Sequence, residues 1–594
     1  MSAAPTARSP GNPPAEAASP VRESEPARGR AARFRTGLLV AVAYTAASAA
    51  IHHRVLPDLT TRASGWVSSD SSLFVWWLQW GARALATGTN PLFTTWQNAP
   101  TGVNAMWNTS VPVLGTVLAP VTALAGPVAA FNVALVLGPV VSGLVCWWAL
   151  GVLPLPWWSR AVGGGLYAFS PFALAHLSVG HLNLVWAILP PTLLWAGVRV
   201  LVLRRHPGRT GAVLGLALAV QTGLYTQTVA LGAVALLVGV VVLAVRWPHL
   251  VRSRIPSAAR AGATSLGVYL VLCAYPLWLV VLGPGRPRGP VRDASSTGAD
   301  AANVLVPTAL TWLRWGGSTL AGSLRSYPGE QGSYLGAALV VVVLLTVWWS
   351  RDAWPRVLAT ITAVLGVLSL GTSLVVLGRD TGLPLPWRVV TGVPLVGEAE
   401  PGRLAPFVAL GVAALVSIAL ARAAGSTRLA PTARVALVAL VVLGALTWLP
   451  SDSQQSTSAV SPPFFLAGAP GLRPGETVEV VPRPSGRWVG GADPLLWQAQ
   501  SDFAFRQTGG YFIGTDPQRP VALEGEVSDF QRGVAGEPVD PVRARDGLRR
   551  LGVSAVVVVP TPEVDVARAS AWAQAVTGDR GTVVDTDGVR LFRL

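Results

Sequence analysis

Four side chains in this chain are candidates for chemistry: Asp70, His181, Glu330 and Arg403. A carboxylate such as Asp70 can accept a proton from an attacking hydroxyl. Glu330, in the stretch Tyr-Pro-Gly-Glu-Gln-Gly-Ser-Tyr-Leu-Gly at 327–336, could bind sugar hydroxyls. The planar guanidinium of Arg403 can grip a phosphate through two parallel hydrogen bonds. His181 and Asn183, close to His176, could bind phosphate or sugar. Each has a plainer reading. Asp70 could cap the helix that follows it, Glu330 could be a solvated loop acid, and Arg403 an interfacial anchor paired with Glu400. His181 could be a hydrogen-bonded structural histidine. Two histidines five positions apart do not by themselves make a metal site. No phosphate loop, dinucleotide fingerprint or His-Glu-x-x-His motif is present.

The elements that must position these residues are set by composition. The 594 residues are 51% hydrophobic and only 12% charged, with a mean hydropathy of +0.49. A soluble domain carries about 25% charged residues. The balance excludes a soluble enzyme and a disordered chain, and it predicts a polytopic membrane protein. All 45 basic residues are Arg, and the formal charge is +16. Compositional bias accounts for the high pI, which does not predict nucleic-acid binding. Cys146 and Cys273 each lie in an apolar run, with no disulfide or thiolate-metal pattern.

Residues 1–36 read as a disordered cytoplasmic tail, rich in Pro, Ala, Ser and Arg. Apolar runs predict spans near 37–51, 129–151, 161–177, 183–203, 210–224, 226–245, 260–282, 334–350, 356–377, 403–423 and 434–450. Placing the Arg-bearing turns inside gives eleven spans, an internal N-terminus and an external C-terminus. The stretch 111–127, interrupted by Pro112 and Pro120, reads as an interfacial or re-entrant helix. Of the nine acids between residues 37 and 450, eight then fall outside; Asp352 alone is inside. Three outer loops are long: 52–128, 283–333 and 378–402. In the first, Asp70 opens an aromatic amphipathic helix that runs to Gly88, expected flat at the headgroup level. From Ser451 the composition changes, and the last 144 residues hold 17 of the 29 acids. Strand-like runs at 477–481, 555–559, 582–584 and 589–592, with helical patterns near 542–551 and 564–576, predict an extracytoplasmic α/β domain over 451–594.

One span, a long outer loop with an acid before an interfacial helix, a second such helix, then many spans: this order resembles the GT-C superfamily of membrane glycosyltransferases. The segments carrying the resemblance are 70–80, 87–115, 169–184, 327–336 and 400–411, and the tail segment 497–512 looks like one found in actinobacterial members. The resemblance implies a GT-C transmembrane bundle over 37–450 in a mainly α chain of the cell membrane. It implies a polyprenyl-phosphate-linked sugar as donor and a cell-envelope glycan, lipid or protein as acceptor. It makes Asp70 the general base, with Glu330, Arg403, His181 and Asn183 binding substrate. GT-C enzymes often pair the first-loop acid with a second; here two serines follow Asp70, so no paired-carboxylate metal site or other cofactor is expected. The rivals are a transporter or flippase of lipid-linked material, for which the polar break Gln221 to Thr228 is the main feature, and a non-catalytic envelope scaffold with the same shell. The segment Thr-Gly-Gly-Tyr-Phe at 508–512 reads as a turn with an aromatic anchor, or as a carbohydrate contact.

Overall fold

The computed structural model describes residues 25–65, 69–293, 296–451, 456–487, 490–516 and 519–594. The first helix, Glu25–Ile51, starts twelve residues before the apolar run, inside the expected disordered tail. Its leading Glu, Ala and Arg residues are good helix formers. Residues 1–24 of that tail lie outside the described residues.

Six described helical segments are long and apolar enough to cross a membrane, and three shorter apolar helices join them: Ala337–Trp349, Ala353–Ser369 and Pro431–Thr447. The chain is thus a multi-pass membrane protein. Two predicted spans are broken. The run 161–177 divides into Trp157–Ala168 and Pro171–Ser178. Ser170 is extended there (φ −62°, ψ 155°), because a residue before proline is driven out of the helical region. The run 183–203 divides into Leu182–Val185, Leu189–Gly197 and a π-turn, Val198–Val202. These breaks place His176 in the last turn of Pro171–Ser178 and His181 in the turn that leads into Leu182–Val185. The stretch 111–127 forms Pro112–Val117 and the first turns of Ala119–Leu150, a helix kinked at Gly126 before Pro127.

The aromatic helix is Ser69–Thr87, one residue short of Gly88. Its environment differs from expectation. Phe74, Trp76, Trp77 and Leu78 are at most 1% exposed, so the aromatic face is core rather than membrane interface. It packs on Ala119–Leu150 and on the C-terminal helix Asp493–Gln500, and Trp76 donates to Gln498 at 2.6 Å. Composition marks an aromatic face; it does not reveal what covers it.

The C-terminal segment carries a five-stranded sheet in the order Thr582–Val583, Arg590–Arg593, Val553–Val558, Glu476–Val481, Phe505–Gln507. The last three are mutually parallel neighbours, and Arg590–Arg593 is antiparallel to Val553–Val558. Alternation along the central strand explains its two covered faces. Ala555 and Val557 join Phe464, Phe465 and Trp497 on one side, while Val556 and Val558 join Leu548, Ala569 and Phe530 on the other. Arg62–Ser64 pairs antiparallel with Ser456–Ser458, tying this segment to the first long loop. The loop at Trp96–Ala99 also bonds it: Gln507 donates its N–H to Trp96 O, Ala99 to Gln507 O and Asn98 to Gly509 O.

Candidate active site

Asp70 is the second residue of its helix, in the first turn, where a negative charge complements the helix dipole. Both carboxylate oxygens are engaged. Tyr511 donates its hydroxyl to Oδ1 at 2.8 Å across 441 residues of sequence, and His181 Nε2 lies 2.9 Å from Oδ2. Burial works against ionisation of Asp70. The hydrogen bond and charge of His181, with Tyr511 and Arg292, outweigh it and hold the carboxyl below its ordinary value. Its side chain is still 30% exposed, and each oxygen has a further lone pair.

His181 reaches Asp70 because Gly180 (φ +75°) turns the chain in a conformation that favours glycine. A Cβ at 180 would also stand 2.5 Å from Ser71 Oγ, beside Asp70. His181 Nδ1 meets His176 Nδ1 at 3.0 Å, and the two rings stack at 5.1 Å. A carboxylate only accepts, so a neutral His181 carries its proton on Nε2, and its Nδ1 accepts from His176. The Tyr327 hydroxyl lies 3.2 Å from His181 Nε2.

A second group adjoins the first. Arg403, in the turn Pro401–Leu404, places Nη2 2.8 Å from Glu330 Oε1 and 3.2 Å from Glu400 Oε1. Its Nη1 donates to Tyr225 and, at 3.2 Å, to Gln227. Glu330 sits in the turn Pro328–Glu330. Burial opposes its charge, yet Arg403 foremost, then the neighbouring histidines, hold it well below the usual carboxylate range. Ligand atoms of His176, His181 and Glu330 lie within 4.8 Å of one another. Two imidazoles and a carboxylate are a donor set that could hold a divalent cation. The histidine spacing alone did not reveal this, because the third donor comes from 149 residues beyond His181.

The structure therefore joins Asp70, His181, Glu330 and Arg403 in one continuous set of contacts. Asn183 is buried in Leu182–Val185, and among the described residues no hydrogen bond links it to that set. Several members were not singled out from sequence: Tyr511 for contact with Asp70, Arg292 on Glu400, and Tyr225 and Tyr327. Tyr225 was visible in the polar break. That break is the turn between Pro207–Thr222 and Thr226–Arg246. Gln221 there accepts from the backbone N–H groups of Ile188 and Leu189, while Tyr225 and Gln227 hold Arg403.

An apolar cavity of about 600 Å³ lies apart from these side chains, between Leu189–Gly197, Thr226–Arg246, Ala353–Ser369 and Ala405–Gly425. It runs along the last helix from Phe407 to Arg422, starting one turn beyond Arg403.

No family model matches the sequence, and no curated protein matches it. Solved structures do. The arabinofuranosyltransferase AftD from Mycobacteria superposes with a TM-score of 0.54 at 14% identity, over 94% of this chain and 40% of AftD. The oligosaccharyltransferase AglB from Archaeoglobus fulgidus, solved with an inhibitory peptide and a dolichol-phosphate, gives 0.48 at 13% identity over 94% of this chain and 74% of AglB. ArnT from Cupriavidus metallidurans gives 0.43 at 14% identity over 95% and 98%. This chain thus spans two-fifths of AftD, and the likeness is one of fold.

Proposed function

We propose that this chain, a multi-pass membrane protein with the GT-C fold, is a glycosyltransferase that moves a sugar from a polyprenyl-phosphate donor to an extracytoplasmic cell-envelope glycan, lipid or protein. The observation that carries the reading is the Asp70 carboxylate, ionised and partly open, gripped from both sides by His181 and Tyr511. As the acceptor hydroxyl attacks the anomeric carbon, Asp70 takes its proton. The bond from that carbon to the phosphate oxygen breaks, and its electron pair leaves with the lipid phosphate. A base must be deprotonated to accept a proton, and a carboxyl held below its ordinary value is so at neutral pH. The buried Arg403, Glu330 and Glu400 group braces the wall beside it. The apolar cavity suits the isoprenoid chain of the donor.

The test is transfer from a radiolabelled polyprenyl-phosphate sugar in membranes, comparing wild type with Asp70→Asn. A folded, inactive variant is the expected result; wild-type turnover would remove Asp70 as the base. The reading also keeps the eleven-pass topology, with the N-terminus cytoplasmic and the C-terminal segment extracytoplasmic, because it needs Asp70 on the outer face. Reporter fusions at residue 206 and after residue 460 are expected to report inside and outside respectively. A cytoplasmic signal from the second would put Asp70 on the wrong side. The transporter reading loses its main support, since the polar break is a turn that braces Arg403 and the backbone at 188–189.

A further inference from the structure

Arg403 has the fork that matches a phosphate, but that fork is already occupied. Nη1 serves Tyr225 and Gln227, Nη2 serves Glu330 and Glu400, and Nε is buried without a partner. Its side chain is 9% exposed. A phosphate could reach it only by displacing buried carboxylates, which would leave them uncompensated.

A second arginine stands on the same carboxylate. Arg292 places Nη1 on Glu400 Oε1, the oxygen that Arg403 also contacts. The adjacent residue is pinned too: Val291 donates its N–H to Glu398 Oε2 at 3.0 Å. Unlike Arg403, Arg292 is 51% exposed. Among the described residues Glu400 takes Nη1 alone, which leaves the Nε and Nη2 edge to meet an anion in the bidentate geometry that phosphate favours. The Arg292 charge also reaches Asp70, Tyr327 and Tyr511, which places the cation near the proposed base.

We propose that Arg292, rather than Arg403, receives the phosphate of the lipid-linked donor, and that Arg403 and Glu400 hold it in place. The assignment rests on the glycosyl-transfer reading above and names the phosphate contact within that site. The chemistry fits. The donor phosphodiester carries one negative charge. When the bond between the sugar carbon and the phosphate oxygen breaks, the electron pair stays on that oxygen and the lipid phosphate leaves with two. A guanidinium on its non-bridging oxygens therefore binds the departing group more strongly than the intact donor, which lowers the barrier.

The test measures binding, not turnover. The purified full-length chain in detergent is titrated with decaprenyl phosphate, with decaprenol as the uncharged control and inorganic phosphate as the anion without the chain. Arg292→Ala is expected to weaken decaprenyl phosphate binding about 10- to 100-fold, the loss typical of a contact with a charged group. Decaprenol binding should be unchanged, and any binding of inorganic phosphate should fall in the same variant. The ligand-free melting temperature should hold, because Glu400 keeps Arg403. Arg292→Lys retains the charge without the fork and should recover only part of the affinity. Equal decaprenyl phosphate affinity in wild type and Arg292→Ala would overturn the assignment while leaving glycosyl transfer standing. A wild type that binds decaprenol but not decaprenyl phosphate would sink the donor reading itself, and this assignment with it.

Discussion

Asp70 and Asp493 are a matched pair across one boundary. Asp70, at the start of Ser69–Thr87, takes a hydroxyl from Tyr511 of the C-terminal segment. Asp493, at the start of Asp493–Gln500, takes a hydroxyl from Ser72 of Ser69–Thr87, at 3.1 Å. Both resist ionisation through burial, yet they diverge. Asp70 is held below its ordinary value by His181, Tyr511 and Arg292. Burial pushes Asp493 up to about 6; among the described residues the Ser72 hydroxyl alone favours its charge, and Glu563 works against it. Burial does not decide which acid is ionised; the donors and cations aimed at it do. One acid is built to stay charged deep into the acid range, and the other, raised to about 6, takes up a proton on mild acidification.

The comparison breaks most visibly at Asp70. Asn keeps the side-chain shape and the contact with Tyr511 but cannot take a proton. Loss of a general base costs about 100- to 10,000-fold in rate. The same change at Asp493 should leave transfer intact. A helix-capping role for Asp70 predicts near-normal activity in Asp70→Asn, so transfer assays on the two Asn variants separate chemistry from folding.

Tyr511→Phe sharpens the comparison from the other partner. The ring stays, and the hydroxyl that favours the charged form of Asp70 goes. Transfer is expected to fall about 10-fold, because Asp70 loses one of the two groups that orient it toward the acceptor. The pH profile should move with it. Wild-type activity persists until the pH drops below the ordinary aspartate value of about 3.9, because the proton goes onto Asp70 late. Without Tyr511 the carboxyl protonates sooner on acidification, so the acid limb shifts to higher pH. A rate loss with an unmoved acid limb would make Tyr511 a packing residue only.

Legibility in the sequence followed the range of the forces involved. Apolar runs are local, so the helices could be read from composition, and the strand-like run 477–481 falls in Glu476–Val481 while 555–559 overlaps Val553–Val558. The bend in 161–177 was also written locally, in Ser170-Pro171, but an apolar run masks a proline when only hydropathy is weighed. Asp70, His181, Glu330 and Arg403 stood out because charge is scarce in this chain. Their partners did not. Tyr511 touches Asp70 across 441 residues, and Tyr225 meets Arg403 across 178. No spacing rule spans such distances. Arg292 and Arg403 look alike as letters; only burial shows that one fork is full and the other half open.

The smallest expected effect belongs to Asp493. A carboxyl raised on folding costs stability wherever the unfolded chain would ionise it more readily. Well below about pH 4 both states are protonated and there is no cost. The cost grows as the pH rises from there and is complete above a folded value of about 6. Asn at 493 can still accept from Ser72 through its amide oxygen and never ionises. Asp493→Asn should therefore melt about 2–4 °C higher than wild type at pH 7.5, the shift that about 1 kcal/mol produces in a segment of this size. At about pH 4, where the unfolded carboxyl is only about half ionised, most of the gain should be gone. Melting curves at the two pH values, followed by tryptophan fluorescence because Trp76 and Trp497 sit at this boundary, check both sign and window. A gain that persists in full at pH 4 would mean that Asn packs better for reasons unrelated to charge, and Asp493 would no longer serve as the readily protonated counterpart of Asp70.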